Sequence, residues 1–504
     1  MSGTKQKNET SWQVYFQSPT ELSQSIERNH AQVAVELKEF LAAHPKLTSI
    51  DILFPCYSGH LRGKRIALND IDALVAGDIH IPTSISLLDY AGANCQFLSQ
   101  GNKDGDPDYF CEPIAGTLLP VPWAREHRST DKGQVVADGE RAQILGRHAE
   151  PNGSAAPGDP RYILAQQLAS FAELGLKPVM ALEFEFYLCK MELNKEGQAQ
   201  MASYSKSGQP PVDIHCNDMV DMDNFDDVIS EMSATLRAQG MNPICATKEY
   251  SPGQYEINLP YDTDIMRLCD QALLYRRAIK GVAKKYGLNA TFMAKPFASF
   301  AGSGLHVHIS VYDKNGKNIF EKGLDEQGKP LVNDQLLHTN GGAMKHTKDL
   351  MILLCPTSNS YRRFMLYGAY APINSSWNID DRSAAFRIPL SDAKNTRLEY
   401  RIAGSDANPY FVCAALLAAV KDGLANKITP PPHAKVEQGQ GMINKPDFPF
   451  YWYQSLDNFL RSDFAKKSFG AEHHDRLYNF HLSEFHAYHS FQSRLDITRY
   501  FFHL

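Results

Sequence analysis

The segment "ALEFEFYL" at 181–188 sets Leu182, Phe184 and Phe186 on one face of an extended chain and only glutamates, Glu183 and Glu185, on the other. Side chains of period two share a face, so a strand here buries one side in a core and presents carboxylates alone on the other. "GSGLHVHIS" (302–310) repeats the pattern, with Leu305, Val307 and Ile309 set against His306 and His308 behind a Gly-Ser-Gly turn. In "KEYSPGQYEINL" Glu249 and Glu256 flank a Pro-Gly turn. In "TRLEYRI" Arg397, Glu399 and Arg401 alternate with Leu398, Tyr400 and Ile402. Taken singly, each stretch fits a strand with a solvent-facing side. Exposed faces, however, usually mix Ser, Thr, Lys and Gln with the acids, and these do not.

If these strands line one cavity, Glu183, Glu185, Glu249, Glu256 and Glu399 meet there with the imidazole of His306. Packed without a cation, such carboxylates repel one another and are driven to protonate. A divalent metal removes that problem. Oxygen donors with an imidazole and no thiolate favour Mg²⁺ or Mn²⁺ over structural zinc. The arginines point to the anion such metals hold, the phosphates of a nucleotide. No P-loop and no kinase-type glycine signature is present, so an ATP site here is of another kind.

The rest of the chain sets bounds on this reading. At 504 residues it can bury a large core and divide into domains. A net charge of −6 gives no basic surface for nucleic acid. The apolar run "FVCAALLAAV" (411–420) is too short to span a bilayer and reads as a buried helix entered at Asn408-Pro409. No membrane is implied, and the N-terminus lacks an apolar signal core. The nine cysteines stand singly, without a C-x-x-C pair, as expected of reduced core thiols in a cytoplasmic protein.

Residues 18–45 read as a helix, "LTSIDILFP" and "LRGKRIAL" as short strands around a polar turn, 90–150 as a small strand-rich domain with few long periodic segments, and 149–160 as a linker. From 158 to 504 the texture is α+β: a helix capped by Asp159 and ended by Gly175, a strand at 177–188, a helix ending at Gly287, and a strand "NATFMAK".

Six ordered stretches, "LEFEFYL", "KEYSPGQYEINL", "FMAKPFASFAGSGLHVHIS", "SNSYRRF", "DDRSAAFRIP" and "TRLEYRIAGSDANPY", resemble the motifs of the glutamine synthetase family. The resemblance implies an N-terminal β-grasp domain (46–157) after a helical extension (1–45). A catalytic domain (158–504) on a curved antiparallel sheet follows, usually in a homo-oligomeric dodecamer with active sites between subunits. It implies ATP as co-substrate, glutamate, an amine, and two or more Mg²⁺ or Mn²⁺ ions. Glu185, Glu249 and Glu256 match the first metal site; Glu183, His306 and Glu399 match the second. Gly302, Arg363 and Arg401 match glutamate contacts. Arg382, Arg401 and Glu249 match catalytic positions, while His308, Ser310, Arg387, Lys394 and Arg397 match the nucleotide side.

Three positions depart from the family pattern. The Asp-Gly-Ser-Ser loop that serves ammonium is here "HIPTSIS" (80–86), without an acid. The flap glutamate is replaced by Tyr370 in "YGAYAP", and the asparagine before the Gly-Ser-Gly turn by Ala301. Ammonium must be captured and deprotonated, so losing both acids disfavours it. A primary amine brings an alkyl chain that Tyr370 and Trp377 can cover, with Asp380 or Asp381 available to a second charge; ordinary packing is the equal alternative for both aromatic residues. With "LRGKR" and "VPWA" upstream, these departures resemble the γ-glutamylpolyamine (putrescine) synthetase branch. A synthetase using ammonium, and a non-catalytic family member, are the alternatives. The family's adenylylated-tyrosine segment is not found after residue 420.

Overall fold

The computed structural model describes residues 11–130, 133–365, 371–433 and 447–501. Among the described residues fifteen strands form two separate sheets. The first holds β1 (Leu47–Pro55), β2 (Leu61–Ala67), β3 (His80–Pro82), β4 (Asp108–Pro113), β5 (Leu119–Pro120), β6 (Glu126–Ser129) and β7 (Val135–Ala149). Their order is β2-β1-β7-β4-β3, with β5 and β6 also on β7. Ahead of it, the helix Pro19–Ala43 starts in a capping box between Ser18 and Glu21. Its Val33 and Leu37 join Ile50, Ile52, Phe54 and Ile144 in the core of this domain. The 15-residue β7 is absent from the sequence reading, because its first half alternates poorly and its second half is buried on both faces.

The second sheet carries β8 (Lys177–Lys190), β9 (Cys245–Lys248), β10 (Gln254–Asn258), β11 (Leu288–Thr291), β12 (Leu305–Tyr312), β13 (Trp377–Ile379), β14 (Phe386–Ile388) and β15 (Leu398–Tyr400). Its order is β13-β14-β15-β12-β8-β10-β9, with β11 also on β8, and every pairing except β13–β14 is antiparallel. The strand expected over "NATFMAK" stops at Thr291, after which the chain leaves the sheet. Helices cover the apolar face. Tyr275, from the helix Ile265–Lys285, stacks on Phe184 of β8 with ring centroids 5.8 Å apart.

The helix Pro409–Asn426 is buried along most of its length, with Asn408 accepting from the Tyr410 N–H as its cap. It meets the helix Asp334–Leu354 at two glycines. A Cβ on Gly342 would lie 2.3 Å from the Ala419 carbonyl oxygen, so only glycine lets the backbones approach this closely. Among the described residues no helix is long and apolar enough to cross a membrane.

The stretch 149–160 is folded onto the body and does not act as a free linker. Asp159 is fully buried and accepts from the N–H groups of His148 and Arg161 and from the Tyr15 hydroxyl. Arg161, itself 2% exposed, ion-pairs with buried Asp270, which also accepts from the Tyr410 hydroxyl. Arg161 Nε donates to Tyr15, so the N-terminal segment is tied to three catalytic-domain helices by one polar network. Seven cysteines are buried as expected, while Cys216 and Cys245, on a loop and an edge strand, are exposed.

Removing one partner of a buried ion pair strands the other charge, at a cost of about 3–5 kcal/mol. Asp270→Ala is therefore expected to lower unfolding stability by that amount, read as a drop in the chemical-denaturation midpoint.

Candidate active site

The register of the second sheet brings distant motifs together. Glu183 on β8 faces His306 on β12, Glu185 faces Glu256 on β10, and His308 faces Glu399 on β15. Directly opposed residues on one face lie roughly 5 Å apart at Cβ, so cross-strand pairing alone makes a cluster. Oxygens of Glu185, Glu249 and Glu256 all lie within 4.8 Å of one another. Glu183 and Glu256 stand likewise with His306, and Glu183 and Glu399 with His308. His306 Nδ1 is 3.7 Å from Glu183 and 4.0 Å from Glu399. His308 Nε2 is 3.1 Å from Glu183, so His308, matched by resemblance only to the nucleotide side, also borders the acids.

Burial and crowding act on these groups unequally. Burial first, then the Glu249 charge, raise Glu185 from its ordinary 4.5 to about 8. Burial also raises Glu249, and burial with the charges of Glu183, Glu249 and Glu185 raises Glu256. The protonation expected of the whole cluster stops there. Glu183 is only partly buried, and hydrogen bonds from His306 and His308 outweigh its desolvation and hold it below the usual carboxylate range. Glu399 is held at about 2, its burial outweighed by Arg401 and then by the histidines and Arg387. The face is thus divided into a proton-holding half and an ionised half.

Glu399 is 1% exposed and clamped on both sides: Arg401 donates to one oxygen and Arg387 Nη1 to the other at 2.7 Å. Arg387 Nη2 reaches Asp380 at 2.7 Å. Next to this clamp opens a 510 Å³ cavity lined by Ser310, His308, Arg397, Tyr261 and Asn395. Arg397 Nε donates to His308 Nδ1 at 3.1 Å, fixing which ring nitrogen accepts. Lys394 is exposed on the turn Ala393–Asn395, whose ends Asp392 and Asn395 line the cavity.

On the other side, Arg363 is buried and donates from Nη1 to the Ile402 carbonyl. Gly302 passes so close to it that a Cβ would lie 2.5 Å from Arg363 Cγ. Gly304 donates its N–H to Glu185 at 2.7 Å. Gln254 was missed by the sequence reading. It shares the β10 face with Glu256 and donates to both Glu185 (3.2 Å) and the Gly302 carbonyl (3.1 Å). Its period-two spacing from Glu256 was the available signal. Arg382 is exposed, and its charge draws Glu249 downward against burial.

Several amine-side expectations change. Trp377 is 6% exposed and gives its indole N–H to the Pro431 carbonyl, so it packs in the core and offers no open wall. Asp380 is paired through one oxygen with Arg387, and Asp381 accepts from Ser383 and Asn378, so both carboxylates already carry partners. Tyr370 lies outside the described residues. The segment 80–86 lacks an acid of its own, but Asp106 reaches it from outside, accepting from Thr83 Oγ1, Ser84 N and Ser84 Oγ.

The donor set of oxygens and imidazole without thiolate fits a hard divalent cation, and such a cation relieves the buried repulsion that raises Glu185 and Glu256. Below the ordinary carboxylate range folded and unfolded chains both hold the Glu185 proton. Between there and about 8 only the folded chain does, so without metal this group stabilises progressively less as pH rises through that window. Two outcomes are expected. Mg²⁺ binding at neutral pH releases protons, and its affinity increases with pH up to about 8. Calorimetric titration in two buffers of different ionisation enthalpy reads both; equal heats in the two buffers would contradict them.

The family model "Glutamine synthetase, catalytic domain" matches residues 157–500. The chain is 33% identical over 451 residues to the gamma-glutamylputrescine synthetase PuuA of Escherichia coli (strain K12), covering 89% of this chain and 90% of that one. It is 31% identical over 416 residues to a glutamate–isopropylamine ligase of Pseudomonas sp, covering 80% and 83% of the two chains. Glutamine synthetase of Thermotoga maritima is 32% identical over 333 residues, 66% of this chain and 70% of that protein. The fold also matches a solved GmaS/ADP complex with a TM-score of 0.75 at 23% identity, over 92% of this chain and 98% of that one. The chain belongs to the glutamine synthetase family, on its amine-ligase branch.

Proposed function

We propose that this ATP-dependent ligase joins the γ-carboxylate of glutamate to a primary amine of the di- or polyamine class, through a γ-glutamyl phosphate. The observation that carries the reading is the single sheet face on which five glutamates, two histidines and a clamp of arginines converge. Glu185, Glu249 and Glu256 would hold one Mg²⁺ or Mn²⁺ ion, and Glu183, His306 and Glu399 a second, with Glu256 and His308 at their border. Bound there, the ions would neutralise charge on the phosphoryl group in transfer.

This chain's own residues do the rest. Ser310, His308 and Arg397 line the cavity for the nucleotide, with Lys394 at its edge. Arg363, kept in place beside Gly302, receives the glutamate α-carboxylate. Oxygen of the γ-carboxylate bonds to the γ-phosphorus of ATP, the bond to ADP breaks, and Arg401, Arg387 and Arg382 offset the charge that develops. The amine nitrogen then bonds to the carbonyl carbon and inorganic phosphate leaves. The amine proton passes to a carboxylate, for which Glu249, at the catalytic position of the family motif, is the candidate. Water must be excluded, or the acyl phosphate hydrolyses.

The choice of amine rests on the acids that 80–86 and 370 lack. Tyr370 stands where the family flap has glutamate, and Asp106 is already engaged by three donors from Thr83 and Ser84. The relatives named for putrescine and isopropylamine support a primary amine as substrate, and of the two only putrescine is a diamine. A homo-oligomer with active sites shared between copies, in the cytoplasm, completes the proposal.

ATP turnover with glutamate plus ammonium, putrescine, spermidine, ethanolamine or a monoamine tests it. The expected kcat/KM for a di- or polyamine exceeds that for ammonium by ~10²-fold or more, the scale of lost acid–base assistance. Tyr370→Glu should shift that ratio toward ammonium. Preference of the wild type for ammonium would return the chain to the ammonium-using synthetases. Separately, Glu185→Ala and His306→Ala are expected to abolish turnover with assembly intact; near-normal rates and unchanged Mg²⁺ dependence would remove both from the metal site.

A further inference from the structure

A 690 Å³ cavity lies at the junction of the two domains, away from the carboxylate face. Its walls come from the β1–β2 turn (Ser58–Arg62), from Tyr90–Gly92, from the helix Ile265–Lys285, and from Asp406, Trp452 and Glu484. The metal-face residues contribute nothing to it. It is set back to back with that face: the Arg276 guanidinium lies 4.7 Å over the Phe184 ring, and Phe184 sits between Glu183 and Glu185 on β8.

The cavity is lined by more positive charge than its surroundings compensate. Arg62, Arg276, Arg277 and Lys280 face Asp406 and Glu484. Arg277 is paired, at 2.6 Å, with Asp51 outside the cavity. Arg276 is 8% exposed, its Nη2 donates only to the carbonyls of Ser405 and Ala407, and its Nε has no partner. The Nε atoms of Arg62 and Arg277 are buried and unpartnered as well. Among the described residues neither Arg276 nor Lys280 makes an ion pair. Asp406 accepts from Thr357 (3.0 Å) and Ser360 (2.7 Å) through one oxygen; its other oxygen is buried and unpartnered, and its charge acts on Arg276 without a contact ion pair.

The titratable groups register this imbalance. Burial, then Lys280, Arg62 and Arg276, push His60 down to about 4. Burial lowers Arg276 to about 10. Buried guanidinium donors without acceptors are costly, and a bound oxyanion satisfies them with charge-assisted hydrogen bonds. Phe292, Tyr90 and Trp452 add apolar and aromatic wall, so the space suits a small organic body carrying the anionic group.

We propose that this inter-domain cavity is a second ligand site, for a small metabolite whose carboxylate or phosphate groups meet Arg62, Arg276 and Lys280. Binding there bears directly on the core side of the strand that carries Glu183 and Glu185, and it needs no catalytic turnover.

The test is calorimetric titration of the full chain with citrate and with inorganic phosphate, with saturating Mg²⁺, a non-hydrolysable ATP analogue and glutamate present to fill the catalytic face, the position of the departing phosphate included, and with the heat of each probe in Mg²⁺ alone subtracted. Lys280→Gln and Arg62→Gln, both at the cavity rim, are expected to weaken binding about tenfold each, the loss of one charge-assisted contact. The KM values for ATP and glutamate should stay close to wild type in both variants. Binding of citrate alone identifies a carboxylate site, and binding of phosphate alone a phosphoryl site. Binding of neither probe at millimolar concentration overturns the proposal. So does binding that both variants leave unaltered, which would place the anion elsewhere. Because the readout is binding, failure of the ligase reading would leave this result standing, and the reverse holds too.

Discussion

Like charges held close on a half-buried surface repel, and this protein gathers Glu185, Glu249 and Glu256 within 4.8 Å of one another, with Glu183 as near to Glu256. Everything around the site answers that repulsion. Leu182, Phe184 and Phe186 anchor β8 from behind, so the strand cannot turn its acids to water without exposing a core face. Gly304 and Gln254 satisfy Glu185 with N–H donors, and Arg387 with Arg401 neutralise Glu399. A site built this way is preorganised for cations and incomplete without them. The fold supplies the geometry, and burial supplies the tension.

Much of this was legible in the sequence because β-structure has a strict period. A strand of alternating Leu, Phe and Glu admits one arrangement, and the same holds for the strand with His306 and His308. What the period does not state is which strands neighbour each other. That Glu185 faces Glu256 while Glu183 faces His306 is a matter of register. The split between acids that hold protons and acids that do not follows from that register, through distances no linear motif encodes. Caps and turns were also legible: Asp159, Asn408 and Gly175 do locally what their residue types favour.

Misreadings came where a residue has two plausible environments. Trp377 and Asp380 looked available because nothing in sequence shows the Pro431 carbonyl or the Arg387 guanidinium that occupy them. The stretch 149–160 has a linker's composition, yet its last acid is buried in a network with Tyr15 and Arg161. Small polar residues serve mobile connections and tight, fully bonded turns equally well, and only tertiary contacts distinguish the two. Gln254 shows the reverse error. A neutral amide among acids draws no notice, although it is the group that ties β10 to the Gly302 turn.

The strand β7 bears on how the chain reaches this state. It pairs in parallel with β1, joining Ile52 to Ile144, and the intervening chain includes every other strand of that sheet. Hairpins such as β1–β2 close quickly through local contacts, whereas this pairing must wait for a long loop to be gathered. The N-terminal domain therefore has no stable partial form in which β1 is covered on both edges before β7 arrives. During synthesis the edge of β1 stays open until the ribosome has released residues beyond 149. Edges left open are sites of mispairing, so slow-folding intermediates of this chain are expected to fail first at β1, and at the active site only later.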